Sequence, residues 1–265
     1  MSNNSMTPAA ATRNELVARL LSDRHSLPLS VVLHLLPGAL IVAAYLLIGQ
    51  PFIRAIHYPT LLGWAIALCL VLIPILLGLL WLGRRVEGRP SLAALRYIDR
   101  PLPRGKLVAL VVPLIVWMTV LSVVTGPVNR FFLHHFFGWV PFTSGAGSFT
   151  GFMDGYSHST MVVTMLICLP LTGLSLPLIE ELYFRGFLLP RLAHLGGWAP
   201  VVSAILFSLY HFWTPWVFVS RVLFMFPGFW LAWRHRDIRV SIGMHVGVTS
   251  TMAAFGALAV VLNLV

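Results

Sequence analysis

Residues 166–192 read LICLPLTGLSLPLIEELYFRGFLLPRL, an almost unbroken apolar run with two adjacent carboxylates, Glu180 and Glu181, in its interior. A hydrocarbon core of roughly 30 Å takes about 20 residues of helix to cross, so the run predicts a transmembrane helix. Ionisable groups at that depth cost free energy and are retained when they are paired or chemically employed. The whole chain has only 8 Asp and Glu residues, so two of them side by side here call for an explanation. Helical geometry separates their roles. Glu181 and Arg185 are i,i+4 neighbours on one face, whereas Glu180 lies roughly 140° around the helix from Arg185. The spacing predicts a structural pair between Glu181 and Arg185 and leaves Glu180 free for a task.

The rest of the chain is of the same kind. It is 58% hydrophobic and 10% charged, with a mean hydropathy of +0.87, which excludes a water-soluble globular domain of this length. Apolar runs fall near residues 29–49, 60–82, 107–125, 159–192, 198–213, 215–233 and 240–263, and no strand-like alternation accompanies them. The expected fold is all-α, a polytopic transmembrane helical bundle of seven spans, or eight if the fourth run breaks near Pro170 or Pro177. Three regions are expected: a polar N-terminal segment (1–28), N-terminal transmembrane helices with an aromatic loop (29–158), and a helical core that carries the chemistry (159–265).

The net charge of +10 is dispersed over short segments between apolar runs. That pattern suits positive-inside anchoring and argues against nucleic acid as a partner. Gly83 to Lys106 carries seven basic and two acidic residues, which predicts a cytoplasmic loop, and Arg234 to Arg239 is expected on the same side. Phe131, Phe132, Phe136, Phe137 and Trp139 predict an interfacial helix. Cys69 and Cys168 lie in apolar runs without ligand spacing and read as inert thiols. Residues 1–27 lack an apolar core with a cleavage site, so no signal peptide is expected. The localisation expected is an integral, multi-pass membrane protein, in the inner membrane if the source is bacterial.

Three polar clusters on separate apolar helices occupy the last hundred residues: Glu180-Glu181-Leu182-Tyr183-Phe184-Arg185-Gly186, Phe207-Ser208-Leu209-Tyr210-His211, and His245 with Thr249. This ordered series, EExxxR, FxxxH and a third-helix histidine followed four residues later by a polar side chain, resembles the CPBP family of intramembrane proteases, also called the Abi or CAAX-protease family. The resemblance covers roughly residues 160–265. It implies a glutamate-dependent endopeptidase of about eight helices acting on a membrane-anchored or lipid-modified substrate. Carried over by position, Glu180 would activate water with the help of His211, while His245 and Thr249 would stabilise the tetrahedral oxyanion. The family most often has Asn where this chain has Thr249, and a hydroxyl donates one hydrogen bond over a shorter reach than an amide.

Rival readings of the same residues lead elsewhere. Glu180, His211 and His245 are a carboxylate and two imidazoles, the donor set of a catalytic zinc site, yet HExxH is absent and no cofactor is expected. His134, His135, Asp154 and His158 lack regular ligand spacing. His34 reads as packing, and Gly243 and Gly247 read as a small-residue face for close helix approach. A non-catalytic binding, immunity or scaffold role in the membrane is the alternative function, and Thr249 is the feature that favours it. Transport would want charged midplane residues in both halves, and the N-terminal half has none.

Overall fold

The computed structural model describes residues 8–143 and 155–264, which are helical with no strand among them; Asp154 lies outside the described residues. In chain order the helices are α1 (Pro8–Leu21), α2 (Leu27–Ala55), α3 (Thr60–Glu87), α4 (Arg104–Val124), α5 (Gly126–Phe136), α6 (His158–Arg191), α7 (Trp198–Tyr210), α8 (Pro215–His235) and α9 (Arg239–Val261). Helices α2, α3, α4, α6, α8 and α9 are each long and apolar enough to cross a membrane, and α7 is a shorter apolar helix. The protein is an integral, multi-pass membrane protein; six helices are long enough to cross, one fewer than the lower of the two expected span counts, because the fifth expected span is the short α7.

The fourth run differs from the expected break. Helix α6 continues from His158 to Arg191, and Pro170 and Pro177 do not interrupt it. Pro170 falls in a π-helical turn, Leu169–Ser175, and a second π turn covers Leu182–Leu188. A wider i→i+5 turn re-routes the hydrogen bonds that a proline cannot make, so the helix swells instead of breaking. The Ser175 hydroxyl contributes by donating to the Pro170 carbonyl at 2.8 Å.

Ends are set locally. The Ser26 hydroxyl accepts from the Leu29 amide to cap α2, and Ser157 accepts from the Thr160 amide to cap α6. Helix α3 stops at Gly88, whose φ of 77° is the left-handed conformation that glycine adopts without strain.

The polar connections gather at one end of the bundle. The Arg96 amide donates to the Gly186 carbonyl at 2.8 Å, the Ile238 amide to the Tyr97 carbonyl at 3.1 Å, and the Arg191 guanidinium to the carbonyls of Leu20, Phe187 and Ala94. The basic segment before α4 and the Arg234–Arg239 turn therefore share an end, as their charge predicts. At the other end α5, the expected aromatic helix, packs Leu133 with Val140 on Trp216 and so covers the turn between α7 and α8.

Helix α7 decides the depth of the site. Its 13 residues span only about 20 Å at 1.5 Å per residue, too short to cross. Its C-terminal residue Tyr210 and the capping His211 are buried, and the chain turns back through Pro215–Val217 into α8. The fifth span, expected to run to residue 213, ends at Tyr210, with His211 as its capping residue.

Candidate functional site

Glu180 and Glu181 sit between the two π turns of α6, both buried, with 6% and 0% of their surface exposed. Glu181 meets Arg185 at 3.0 Å, and both side chains are fully enclosed. The Arg185 guanidinium lies between the rings of Phe207 and Phe229, 4.1 and 3.8 Å from their centroids. Cation–π contact on both faces compensates a buried cation where water cannot.

The second carboxylate is not isolated, which departs from the reading of Glu180 as unpartnered. The Tyr210 hydroxyl donates to Glu180 Oε1 at 2.8 Å, and His245 Nε2 stands 4.0 Å from Oε2. The imidazole of His245 bridges the two acids, because its Nδ1 lies 2.8 Å from Glu181 Oε1. A carboxylate can only accept, so Nδ1 carries the proton and Nε2 faces Glu180. Glu181 thus orients His245 as well as pairing with Arg185.

His211 caps α7 with φ −79° and ψ 59°, and its Nδ1 donates to the Phe207 carbonyl at 2.8 Å. That bond leaves Nε2 as a proton acceptor. Its ring packs against Phe207, Tyr210 and Trp213, with centroids 4.7 to 4.8 Å away. The short α7 therefore brings the Tyr210 hydroxyl to Glu180, with His211 the next residue in the chain.

Thr249 is placed differently from its expected task. Its hydroxyl lies 2.8 Å from the Gly173 carbonyl and 3.0 Å from the His245 carbonyl, and it has one proton to give. The adjacent Ser250 hydroxyl donates to the same Gly173 carbonyl at 2.8 Å. Both hydroxyls tie α9 to the first π turn of α6. Gly173 permits the approach, since a Cβ there would stand 2.9 Å from the Ala253 side chain. Gly243 and Gly247 do the same toward α4, where added Cβ atoms would meet Val111 and Ile115 at 2.8 and 3.0 Å. His34 also serves packing, with Nδ1 on the Ser30 carbonyl at 2.7 Å and Nε2 3.3 Å from the Ser203 hydroxyl of α7.

Two neighbours of the site escaped the sequence reading. Tyr210 precedes His211, and only the depth of α7 brings its hydroxyl to Glu180. Arg221, in the first turns of α8, is 9% exposed and donates from Nη2 to the Thr214 hydroxyl at 2.8 Å. A cluster of polar residues near a chain reversal is the only signal that sequence offers for either. Among the described residues, no group of three or more His, Cys, Asp or Glu is arranged to hold a metal ion.

No curated protein and no solved structure matches the chain. Residues 161–251, which take in Glu180, Glu181, Arg185, His211, His245 and Thr249, match the family model described as Type II CAAX prenyl endopeptidase Rce1-like, and so match the CAAX-protease family that the motif series resembles.

Proposed function

We propose that the protein is a membrane-embedded, glutamate-dependent endopeptidase that hydrolyses a peptide bond of a membrane-anchored or lipid-modified substrate. The observation that carries this reading is the division of labour between adjacent acids. Glu181 Oε1 is held by both Arg185 and His245, and its Oε2 is sealed away from any hydrogen-bond partner, whereas Glu180 Oε1 takes the Tyr210 hydroxyl and Oε2 is left with His245 at 4.0 Å, too long for a direct hydrogen bond.

In the reaction Glu180 takes a proton from water, aided by the acceptor nitrogen of His211, as the water oxygen bonds to the scissile carbonyl carbon. The carbonyl electron pair moves onto oxygen, and a doubly protonated His245, its Nδ1–H held by Glu181, donates from Nε2 to the resulting charge. Collapse breaks the C–N bond, and the proton on Glu180 passes to the leaving amine. No metal or cofactor is invoked.

The prenylated substrates named in the matched family's description are the first to test. An apolar cavity of about 650 Å³ between α2 and α3, lined by Leu36, Leu40, Val71 and Ile75, reaches α6 at Tyr183 and would take a lipid chain. The test compares the termini of membrane proteins in cells carrying wild type or Glu180→Gln. One protein whose terminus changes, with the variant still folded and inserted, is the expected result. A Gln variant that processes the same protein at full rate overturns the proposal.

The engagement of Thr249 with carbonyls favours a second reading, a folded but silent member that binds its substrate without turnover. It would show binding by the purified protein with no product from wild type and Glu180→Gln alike.

A further inference from the structure

Arg221 is a cation that the proposed machinery does not use. It is 9% exposed, and among the described residues it makes no ion pair within 4.0 Å. Its Nη2 is fixed on the Thr214 hydroxyl at 2.8 Å, and the Thr214 amide donates to the His211 carbonyl at 3.0 Å, so the guanidinium is one residue removed from the proposed acceptor. Its Nη1 is buried without a hydrogen-bond partner. A buried guanidinium without an acid beside it is costly to keep, and a free, fixed N–H in a dry site is a strong donor to an anionic oxygen.

Beside His245, the oxyanion lacks its second donor. Thr249, assigned that role by position, spends its one proton on the Gly173 and His245 carbonyls, at 2.8 and 3.0 Å. We propose that Arg221 Nη1 donates to the tetrahedral oxyanion, supplying from α8 the hydrogen bond that Thr249 does not give from α9. This rests on the protease reading of Glu180. Arg221 would then be a catalytic residue whose interaction strengthens as the carbonyl oxygen takes charge, which acts on kcat and not on ground-state affinity.

The experiment uses the full chain in lipid nanodiscs with wild type, Arg221→Met, Arg221→Lys and Glu180→Gln. Met keeps the apolar stem while removing the charge, and such replacement of a buried ion is tolerated by many folds. The turnover probe is a farnesylated, internally quenched peptide with its scissile bond after the modified cysteine. The binding probes are the same peptide truncated to an aldehyde, whose hydrate mimics the tetrahedral intermediate, and to the matching alcohol. Binding is read from tryptophan fluorescence, since Trp213 lies 4.7 Å from the His211 ring.

Arg221→Met should lower kcat about 100- to 1,000-fold with KM within about threefold, and Arg221→Lys should recover at least about tenfold of that loss. The aldehyde should lose its advantage over the alcohol in Arg221→Met and keep it in Arg221→Lys. Wild-type kcat in Arg221→Met, a rise confined to KM, or an unchanged aldehyde preference overturns the assignment. So does a wild type that binds aldehyde and alcohol equally. The binding arm needs no turnover, so it judges Arg221 even if the peptide is not cleaved. An inactive Glu180→Gln beside an active Arg221→Met sinks this inference alone, and an active Glu180→Gln sinks the protease reading.

Discussion

At the scale of single residues, an i,i+4 argument made on the bare sequence located the pair that organises the site, and the pair closes at 3.0 Å. What spacing along one helix could not show is where Glu180 would look, because its neighbours arrive from other helices. Tyr210 and His245 are 30 and 65 residues away in sequence, and each reaches Glu180 only through the depth at which its own helix stands. The same limit hid the commitments of Thr249, whose i,i+4 relation to His245 was legible but whose hydroxyl partner, Gly173, belongs to a π turn that no periodicity announces. The buried pair also makes a sharp energetic prediction. Replacing Arg185 by Met leaves Glu181 ionised and enclosed with only His245 beside it, and should destabilise the protein by about 3–5 kcal/mol. The double variant Glu181→Gln/Arg185→Met removes both charges while the Gln oxygen can still accept from His245, so it should regain most of that loss. Unfolding titrations of the four proteins in mixed micelles measure the cycle; equal losses in the single Arg185 variant and the double variant would show that the pair's charges are not coupled.

At the scale of elements, apolar run length located the long spans, and proline was the misleading signal. Prolines in α6 predict a break in a helix read alone, whereas the structure widens two turns and carries on. The short α7 is the element that matters most to the site, and its end depends on α2. The Cα of Gly38 stands so close to the Tyr210 carbonyl that an added Cβ would overlap that backbone oxygen. A backbone oxygen cannot rotate away, so Gly38→Ala should push α7 off α2 and carry the Tyr210 hydroxyl away from Glu180. Its expected effects are a melting temperature several degrees lower and cleavage reduced at least about tenfold. The control is Gly78→Ala in α3, where an added Cβ would meet nothing within 4 Å. There the gain in helix propensity should leave stability unchanged or raise it by about 0.5–1 kcal/mol, with activity intact. If the two alanine variants melt alike, the close approach does not position α7.

At the scale of the whole molecule, charge patterning was the most reliable guide, because the basic connections must lie on one side of a bilayer and the structure ties them together there. The Asp237 carboxylate is the knot, accepting from the Leu102 amide at 2.7 Å and from the Arg239 guanidinium at 2.6 Å. Burial opposes its charge, but the bonds from Arg239 and from the Leu102 and Arg239 amides outweigh burial and hold the carboxyl below its usual range. A depressed value in the folded protein means that this stabilisation is complete above the unfolded value of about 3.9 and drains away as pH falls through the folded one. Thermal stability should therefore be level in this respect from pH 8 to pH 5 and drop below about pH 4. Asp237→Asn should be less stable than wild type at neutral pH by about 1.5–3 kcal/mol, with the gap closing in acid. Melting curves of both proteins across pH 3–8 decide it, and a gap that is independent of pH would remove the ionised carboxylate from the account.

The odd number of apolar helices leads to the last prediction. With the chain turning back after the short α7, α6 and α8 still meet the end that holds the basic loops, so Arg89 and His194 should lie on one side of the membrane and His57 and Ser157 on the other. All four side chains are exposed. Single cysteines at these positions, in a chain whose Cys69 and Cys168 are replaced by alanine, should react with a membrane-impermeant maleimide in two groups. Residues 89 and 194 label together from the cytoplasmic side in inverted vesicles, and residues 57 and 157 label only in right-side-out ones. If 194 instead labels with 57, α6 does not cross as one helix, and the packing that brings the Tyr210 hydroxyl to Glu180 is overturned with it.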